Sequence, residues 1–560
     1  MGGELDPVEA ARAWAAQDPD EVTRAQLEAL LARVDAGDPD ARAEVGTRFA
    51  GRLSFGTAGL RGELGAGPLR MNRVLVAQAA AGLAAYLLSR EAHPSVVIGY
   101  DGRLGSEVFA RDTAELMAGA GVRAILLPRL LPTPVLAFAV RELGTSAGVM
   151  VTASHNPATD NGYKVYLGGP DHGSQIVPPA DAQIEAEIVR VASGSIAELP
   201  RSADYELATE EVVDAYVRRT AALAPHPHPL RVVYTAMHGV GWETAHRVFT
   251  AAGFTDIVSV APQQDPDPAF PTVDFPNPEE PGAMDLAFAT ATAAGAELVI
   301  ANDPDADRVA VGVPDGAGGW RRLSGNEVGW LLGWRAVRRH AAENTDHGTL
   351  ACSLVSSPAL GVVARKEGLD FAETLTGFKW ISRVGDLVYG YEEALGYLVD
   401  PDKVRDKDGI SAAVAVLALF SELKADGVAF REHEAAFADR YGAFASGQIS
   451  IRVSELARIP ELMARLRAHP PTEVGGIRVE RIDDFAGGFG AFPPSDILRI
   501  WLAGGSRVIV RPSGTEPKLK CYLDTRSDEG TVAERQAAAD AALAALDAGM
   551  RGLLSGEDHF

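Results

Sequence analysis

A serine in a turn-forming string is the first residue whose surroundings suggest chemistry. The string reads Val151-Thr-Ala-Ser-His-Asn-Pro-Ala-Thr-Asp-Asn-Gly-Tyr-Lys-Val-Tyr166, and it follows a predicted apolar strand over residues 147–151. Ser154 would therefore lie at the carboxyl end of a strand, where α/β sheets bind ligands. We expect its hydroxyl to be exposed, flanked by His155 and within reach of Lys164. A tight turn with a capping serine is the alternative, but the whole string is far more specific than Ser-His-Asn-Pro alone.

Three aspartates at alternate positions form the second candidate site. They follow another apolar strand in Leu298-Val-Ile-Ala-Asn-Asp-Pro-Asp-Ala-Asp-Arg308. Asp303, Asp305 and Asp307 can all turn toward one point if the loop is extended, and three hard anionic oxygens suit Mg²⁺. An EF-hand is excluded, because Arg308 stands where that loop needs glycine. A solvated acidic turn is the alternative, although carboxylates this close repel one another unless a cation is present.

Two glutamates between glycines could bind hydroxyl groups. They lie in Gly390-Tyr-Glu-Glu-Ala-Leu-Gly-Tyr397, a short distance after Thr376-Gly-Phe-Lys-Trp-Ile381. Glu392 and Glu393 could accept hydrogen bonds from sugar hydroxyls. Because surface Glu-Glu pairs are common, this string alone is weak support.

An arginine followed by hydroxyls and glycine suggests an oxyanion site near the end of the chain. The string is Val508-Ile-Val-Arg-Pro-Ser-Gly-Thr-Glu-Pro-Lys-Leu-Lys520. Backbone N–H groups around glycine, hydroxyls and a guanidinium together favour a phosphate over a simple Pro/Gly turn. The contributing residues would be Arg511, Ser513, Gly514 and Thr515. A glycine-rich string with one arginine, Ser54-Phe-Gly-Thr-Ala-Gly-Leu-Arg-Gly62, is in isolation better explained as a flexible loop.

Three segments with a common pattern indicate the elements that position these strings. Each reads strand, loop, helix, glycine and strand, which is a βαβ unit of a parallel sheet. The segments cover residues 96–127, 231–260 and 349–372. We also predict an N-terminal helical extension over residues 7–45, a buried helix near 410–420 and an extended loop in the proline-rich stretch 265–281.

The chain is therefore predicted to be an α/β protein with three related domains and a C-terminal α+β domain. The last domain would contain strands around 447–453, 497–501 and 507–510 and a closing helix over 531–550. The predicted domains are residues 1–205 with the helical extension and the serine loop, 206–322 with the aspartate loop, 323–440 with the paired glutamates, and 441–560 with the phosphate-type loop.

Composition excludes several classes of function. The net charge is −24 and no basic cluster occurs, so a nucleic-acid partner is not expected. The longest apolar run is too short to span a bilayer, so no membrane partner is expected either. Two cysteines without a CxxC pair argue against disulfides and a zinc site and suggest a cytoplasmic location.

Taken together, the strings resemble the α-D-phosphohexomutase superfamily, which includes phosphoglucomutases and phosphomannomutases. Six segments match in the family's order: 55–61, 152–166, 303–308, 376–379, 392–396 and 511–515. The resemblance implies four domains around a central cleft. It also implies an isomerase that converts hexose 1-phosphate to hexose 6-phosphate, with α-D-glucose as the leading substrate, through a phosphoserine and a bisphosphorylated sugar.

The resemblance implies roles for individual residues. Ser154 is similar to the family's phosphoserine, and Asp303, Asp305 and Asp307 to the ligands of one Mg²⁺ per chain, with a phosphoserine oxygen as a further ligand. The residues matched to the site of the transferred phosphate are His155, Lys164, Arg61 and Arg308. Those matched to the sugar are Gly377, Lys379, Glu392 and Glu393. Those matched to the distant phosphate are Arg511, Ser513, Gly514 and Thr515.

Two departures from the family pattern leave the substrate open. Ala394 stands where many members have serine, and the glycine pair that often follows Pro157 is missing. The form Asn-Gly-Tyr-Lys-Val-Tyr resembles a subgroup with bacterial phosphoglucomutases, phosphopentomutases and glucose-1,6-bisphosphate synthases. The alternatives are therefore a phosphomannomutase, a phosphopentomutase, a bisphosphate synthase or a non-catalytic sugar-phosphate-binding protein. The resemblance further implies sugar phosphates as ligands and glucose 1,6-bisphosphate as activator. The oligomeric state stays open between a monomer and a dimer.

Overall fold

The computed structural model describes residues 6–56, 59–343, 347–452, 458–513 and 518–555. The chain divides into two compact units. Unit 1 comprises Met1–Gly325, Phe378–Arg383 and Ala394–Ser421, and unit 2 comprises Asn326–Gly377, Val384–Glu393 and Glu422–Phe560. The predicted third domain is therefore shared by the two units, because parts of residues 323–440 cluster with each.

The N-terminal extension is helical, as predicted, and consists of three helices. They are α1 (Pro7–Gln17), α2 (Glu21–Asp35) and α3 (Pro39–Arg48). Each begins after an aspartate whose carboxylate accepts backbone N–H groups of the first turn, namely Asp6, Asp20 and Asp38. Their apolar faces form one core cluster with Val74 and Leu116 of the following segment.

The first sheet of unit 1 carries the serine loop. Its strands are β1 (Leu60–Glu63), β2 (Ser95–Tyr100), β3 (Arg123–Leu126), β4 (Ala147–Val151), β5 (Asp160–Leu167), β6 (Ser174–Gln175) and β7 (Glu206–Leu207). The order is β1-β5-β4-β2-β3-β7, with β6 on β5; β2 is parallel to both β3 and β4, whereas β5 is antiparallel to β4. Its helices are α4 (Arg73–Leu88), α5 (Ser106–Gly119), α6 (Thr133–Glu142) and α7 (Ala180–Ala192).

Strand β7 lies one residue past the predicted boundary at 205 and pairs in parallel with β3. We therefore propose that the first domain extends a few residues further than the sequence indicated. The first βαβ unit is confirmed, because β2, α5 and β3 follow one another and the two strands are parallel.

The second sheet of unit 1 carries the aspartate loop. Its strands are β8 (Val232–Thr235), β9 (Ile257–Ser259), β10 (Leu298–Asn302), β11 (Val309–Pro314) and β12 (Trp320–Arg322), in the order β12-β11-β10-β8-β9. The helices are α8 (Glu211–Ala221), α9 (Gly241–Ala251) and α10 (Asp285–Ala294). The second βαβ unit is confirmed by the parallel pair β8 and β9. The proline-rich stretch 265–281 contains no helix or strand, as predicted.

The third βαβ unit belongs to unit 2. Strands β13 (Thr349–Ser353) and β14 (Asp370–Thr374) are parallel and are linked through α12 (Ala359–Glu367), after α11 (Gly325–Ala342). Strand β15 (Leu387–Glu392) is also parallel to β13. Helix α13 (Phe378–Ile381) and strand β16 (Gly396–Leu398) belong to unit 1. Helix α14 (Gly409–Asp426) confirms the buried helix predicted near 410–420 and is followed by α15 (Phe430–Tyr441).

The C-terminal part of unit 2 is an antiparallel sheet. Its strands are β17 (Ala443–Arg452), β18 (Glu473–Val474), β19 (Ile477–Asp484), β20 (Leu498–Leu502), β21 (Arg507–Pro512) and β22 (Lys518–Ser527), in the order β17-β22-β21-β20-β19-β18. Helices α16 (Arg458–Ala468) and α17 (Val532–Ser555) bury Leu462 and Leu546 in the same core.

The predicted fold class is confirmed: three α/β regions are followed by a C-terminal α+β region. Short 3₁₀ helices cover Gly169–Asp171, Ile196–Glu198, Ala261–Gln263 and Ala503–Gly505. Among the described residues, every helix is too short or too polar to cross a membrane.

Candidate active site

Ser154 lies in the first turn after β4, where its backbone adopts the left-handed conformation (φ 53°). Its N–H donates to Oγ1 of Thr152 at 2.9 Å, and its hydroxyl donates to Oδ2 of Asp303 at 2.8 Å. The expectation of an exposed hydroxyl is wrong, since Ser154 is only 2% exposed. The aspartate loop of the second sheet lies against the serine, which the local sequence of the serine loop could not indicate.

His155 flanks the serine, as predicted. Its Nδ1 lies 3.3 Å from Oγ of Ser154. Burial of the ring and the nearby guanidinium groups of Arg308 and Arg61 hold the pKa of His155 well below its ordinary value. The neutral imidazole is therefore favoured over the imidazolium, and its Nδ1 lies within hydrogen-bond distance of the serine oxygen.

The three aspartates converge, but through a turn and not through an extended loop. The turn follows β10, with Ala306 in the left-handed conformation (φ 54°) and its N–H donating to the carbonyl of Asp303 at 2.8 Å. One carboxylate oxygen from each of Asp303, Asp305 and Asp307 lies within 4.8 Å of the others. The convergence on one point was correctly predicted, whereas the extended conformation was wrong.

Two lysines neutralise part of this negative charge. Nζ of Lys164, on β5, lies 2.8 Å from Oδ2 of Asp305 and 3.0 Å from Oδ2 of Asp307. Nζ of Lys407 lies 3.3 Å from the same oxygen of Asp307. Burial opposes the charge on Lys164, but the two carboxylates outweigh it and raise the pKa of this lysine.

The pKa values of the aspartates diverge in consequence. Burial, together with the charges of Asp305 and Asp307, raises the pKa of Asp303 well above its ordinary value. Burial acts in the same direction on Asp305, but the Lys164 ammonium and its hydrogen bond hold the pKa of Asp305 below the ordinary range. A spread of pKa values of this kind is expected for like charges that are buried close together, because they cannot all ionise equally easily.

The cluster fits a hard divalent cation. Oδ1 of Asp305 and Oδ1 of Asp307 are buried, and neither receives a hydrogen bond from the described part of the chain. With the oxygens of Asp303 and Ser154, they form an all-oxygen donor set of the kind that Mg²⁺ prefers. The three aspartates can therefore bind a metal ion.

The two arginines near the serine loop come from different segments of the chain. Arg61 lies on β1, opposite Gly162 of β5, and its Nη1 donates to Oδ1 of Asn156 at 3.2 Å. Burial lowers the pKa of Arg61, although the charge of Asp305 opposes that shift. The N–H of Arg308 donates to Oδ1 of Asp303 at 3.0 Å, which ties this arginine to the aspartate turn. Together with Lys164 on β5, the two arginines place cations from three segments of the chain near the serine loop.

The predicted sugar-binding residues fall in both units. Lys379 lies in α13 of unit 1, with Nζ 5.8 Å from the ring of Trp380. In unit 2, the N–H of Gly377 donates to Oε1 of Glu392 at 2.6 Å. Oε2 of Glu393 accepts hydrogen bonds from the hydroxyls of Ser353 and Ser356, both at 3.1 Å. Glu393 therefore has protein partners, which anchor the strand end that carries Glu392.

Arg511 lies near the end of β21 in the same unit. Its guanidinium and the carboxylates of Glu392 and Glu393 all act on Tyr522, whose pKa is raised by burial and by the glutamates and lowered by Arg511. The N–H of Ser513 donates to the carbonyl of Lys518 at 2.8 Å. Arg511 and the paired glutamates therefore all lie close enough to Tyr522 to act on its charge. Gly514 and Thr515 lie outside the described residues.

Three residues at this site were missed by the sequence analysis. Thr133 donates through Oγ1 to Oδ2 of Asp305 at 2.6 Å, Lys407 contacts Asp307, and the guanidinium of Arg103 donates to carbonyls of the serine loop. A signal existed for Arg103, since it lies near the start of the predicted βαβ segment at 96–127. Lys407 likewise belongs to the polar triplet that precedes the apolar helix α14.

A buried serine held against an aspartate cluster on α/β sheets fits a phosphotransferase of the phosphohexomutase type. Four family models match in sequence order: the α/β/α domains I, II and III and the C-terminal domain of phosphoglucomutase/phosphomannomutase, at residues 52–194, 214–316, 324–434 and 449–542. The chain belongs to the phosphoglucomutase/phosphomannomutase family and is an isomerase of that family, as the resemblance implied.

Curated relatives with different substrates match most of the chain. It is 55% identical to a probable phosphomannomutase of Haemophilus influenzae, over 86% of this chain and 98% of the relative. It is 34% identical to a phosphopentomutase of Mus musculus, covering 92% of this chain and 90% of the relative. It is also 34% identical to a phosphoglucomutase of Staphylococcus epidermidis, with coverages of 85% and 91%.

Proposed function

We propose that this enzyme interconverts hexose 1-phosphate and hexose 6-phosphate, with α-D-glucose as the leading substrate, through phospho-Ser154 and a bisphosphorylated sugar. The observation that carries the proposal is the placement of Ser154 Oγ, 2.8 Å from Asp303 in a cluster of three buried carboxylates. A hydroxyl at this point can hold a phosphoryl group beside a metal ion, and phosphoryl transfer depends mainly on positioning and neutralisation of charge.

Transfer begins from the phosphorylated serine. A sugar hydroxyl attacks phosphorus, the bond between phosphorus and Oγ of Ser154 breaks, and the hydroxyl proton ends on Oγ. The product is a bisphosphate, which must turn so that its other phosphate faces Ser154 for the reverse step. In this proposal His155, whose Nδ1 lies 3.3 Å from Oγ, relays the proton.

Cations on the protein stabilise the transferring group. Arg61, Lys164 and Arg308 come from separate segments and supply positive charge around Ser154. One Mg²⁺, held by Asp303, Asp305 and Asp307 with a phosphoserine oxygen, would supply a further charge on the phosphoryl oxygens.

The remaining predicted residues would recognise the substrate. In this proposal Gly377, Lys379, Glu392 and Glu393 bind the sugar, Glu393 chiefly by anchoring Glu392. Arg511, Ser513, Gly514 and Thr515 hold the phosphate that is not reacting. Ligands would thus be sugar phosphates, with glucose 1,6-bisphosphate as the activator that primes Ser154.

Mannose phosphate is the second candidate substrate, because the relative that matches at 55% identity is named a probable phosphomannomutase. A pentose phosphate is the third, supported by the named phosphopentomutase at 34% identity. Ala394, in place of a serine, removes one hydroxyl that could contact the sugar and is a reason to test all three.

The deciding experiment measures kcat/KM for glucose 1-phosphate, mannose 1-phosphate and ribose 1-phosphate, with Mg²⁺ and glucose 1,6-bisphosphate present. The proposal expects glucose 1-phosphate to give the highest value and tryptic mass spectrometry to find phosphate on Ser154. A higher kcat/KM for mannose 1-phosphate or ribose 1-phosphate would replace the leading substrate. Turnover without any phosphorylated Ser154 would overturn the proposal itself.

We further propose a cytoplasmic location and a monomer or dimer for the enzyme. The acidic composition and the two buried thiols, Cys352 and Cys521, suit a reducing compartment. Size-exclusion chromatography with light scattering would distinguish monomer from dimer.

A further inference from the structure

Arg103 makes an unusual set of contacts with the serine loop. Its Nη2 donates to the carbonyls of Ser154 and Asn156, both at 2.6 Å. Its Nη1 donates to the carbonyls of Pro157 and Asp160 at 2.7 and 3.1 Å. One guanidinium therefore donates to three carbonyls of the loop after β4 and to the carbonyl of the first residue of β5. Charge-assisted hydrogen bonds of this kind are the strong ones.

The guanidinium is enclosed. The side chain of Arg103 is 1% exposed, its Nε lies 3.5 Å from Oδ2 of the equally buried Asp101, and its Cζ lies 5.0 Å from the centre of the Phe270 ring. Burial lowers the pKa of Arg103, but the charge of Asp101 opposes this shift. A side chain so enclosed has no surface to offer a substrate, so its role must be exerted through the loop.

Phe270 links Arg103 to the second sheet. This residue belongs to the proline-rich stretch and adopts the left-handed conformation (φ 47°), with its N–H donating to the carbonyl of Asp267. The N–H of Asp267 donates in turn to the carbonyl of His238. Two residues further on, the N–H of Val240 donates to the carbonyl of Pro304, inside the aspartate turn, at 2.9 Å.

Two neighbouring glycines show that the backbone is closely packed around these contacts. A Cβ on Gly102 would lie 2.9 Å from Cβ of Pro266, and a Cβ on Gly239 would lie 2.3 Å from Cα of Pro304. The serine loop, the proline-rich stretch and the aspartate turn are therefore packed in series, with Arg103 and Phe270 at the junction.

We propose that Arg103, packed under Phe270, is a positioning residue that holds the Ser154 loop in the conformation that presents Oγ to the aspartate cluster. This inference rests on the proposed function of Ser154 as the phosphoryl carrier. Ser154 is held in a left-handed backbone conformation, and the hydrogen bond from Arg103 to its carbonyl offsets part of that strain. Release of the loop would misplace Oγ, and a displacement of about 1 Å can cost about a hundredfold in rate.

The test uses the full-length enzyme with Arg103→Lys and Phe270→Leu. A lysine keeps the charge but cannot reach four carbonyls with a planar fork. Arg123→Lys is the matched control, because Arg123 is an exposed arginine of the same sheet that pairs with Glu206. We expect Arg103→Lys to lower kcat and the rate of Ser154 phosphorylation by glucose 1,6-bisphosphate by about 10- to 100-fold, with KM changed by less than about twofold. Phe270→Leu should lower kcat by about 3- to 10-fold.

Hydrogen exchange supplies a readout that does not depend on activity. Backbone amides of residues 154–162 should exchange faster in Arg103→Lys than in the wild type, while those of β2 and β4 should not change. A wild-type kcat and unchanged loop exchange in Arg103→Lys would overturn the inference, and so would a loss confined to KM. If circular dichroism shows that Arg103→Lys does not fold, the same two readouts on Phe270→Leu decide the matter. If the wild type is never phosphorylated on Ser154, the proposed function fails, whereas the exchange measurement still tests the holding role.

Discussion

Two regions of the molecule carry the predicted function, and they differ in how far their side chains are exposed to solvent. Around Ser154 in unit 1, the serine and the three aspartates are at most 2% exposed, and the serine backbone is left-handed. Around Arg511 in unit 2, Glu392, Glu393 and Arg511 remain partly accessible. One region is enclosed and dense in charge, and the other keeps surface available to a ligand.

The difference follows from what each region has to do. Groups that neutralise a transferring phosphoryl group act most strongly when they are removed from water and cannot reorganise. Groups that recognise a sugar or a distant phosphate must stay accessible, since in the proposed mechanism the bisphosphate has to turn between the two transfer steps. Substitutions in unit 1 should therefore affect chemistry, and substitutions in unit 2 should affect retention of the substrate.

The largest effect is expected for Ser154→Ala. Loss of the phosphoryl carrier should reduce mutase activity by more than about a thousandfold, because no binding contribution can replace a covalent step. The cost in stability should be about 1 kcal/mol, since one hydrogen bond to Asp303 is lost. Coupled assays and thermal unfolding measure the two, with the exposed Ser193→Ala as control. Substantial remaining activity would mean that the carrier lies elsewhere.

Removal of the metal should have a comparably large effect. Chelation should abolish turnover and Mg²⁺ should restore it, because the buried carboxylates would otherwise repel the phosphoryl group. Asp305→Asn should raise the Mg²⁺ concentration needed for half-maximal activity by at least about tenfold. The control is Asp315→Asn, in the exposed turn between β11 and β12. An unchanged Mg²⁺ requirement in Asp305→Asn would refute the assignment of the ligands.

Arg511→Ala tests the recognition side of the comparison. A charge-assisted hydrogen bond contributes about 1.5–3 kcal/mol, so kcat/KM should fall by about ten- to a hundredfold. Phosphorylation of Ser154 should be much less affected, and free glucose 1,6-bisphosphate should accumulate during turnover. The exposed Arg478→Ala is the control. An unchanged KM and an unchanged requirement for glucose 1,6-bisphosphate would show that the loop after Arg511 does not bind phosphate.

The smallest effect concerns stability and not activity. His433 stacks on Trp334 with ring centroids 4.5 Å apart, and burial together with Arg338 lowers its pKa from 6.5 to about 4. Below pH 6.5 the unfolded chain binds a proton that the folded chain does not, so stability falls as the pH decreases from 6.5 toward 4.

Replacement of this histidine isolates its contribution. Between pH 6.5 and 4 the free energy of unfolding should fall by roughly 1–2 kcal/mol less in His433→Phe than in the wild type. This figure is reduced to take account of screening of the charge by solvent. Urea unfolding at several pH values measures this, with the exposed His226→Gln as control. Identical pH profiles for wild type and His433→Phe would contradict the prediction, and kcat at pH 7.5 should be the same in both.

Prediction from sequence succeeded where a local pattern determines the structure. The three βαβ units, the helical extension and the proline-rich loop depend on periodicity and on turn-forming residues, both of which are visible in one short window. It failed where the outcome depends on what packs against a segment. The exposure of Ser154 was wrong because Asp303, 149 residues away in the chain, accepts its hydrogen bond.

The sequence by itself determined the order of the elements, the residue types at each loop and the resemblance that located the serine and the aspartates. Only the tertiary structure decided which side chains meet. Lys164 and Lys407, from distant segments, both reach Asp307, and Arg103 reaches four carbonyls of a segment more than fifty residues away. The physical reason is that hydrogen bonds and charge interactions act over a few ångströms in space, and their partners can be separated by any distance along the chain.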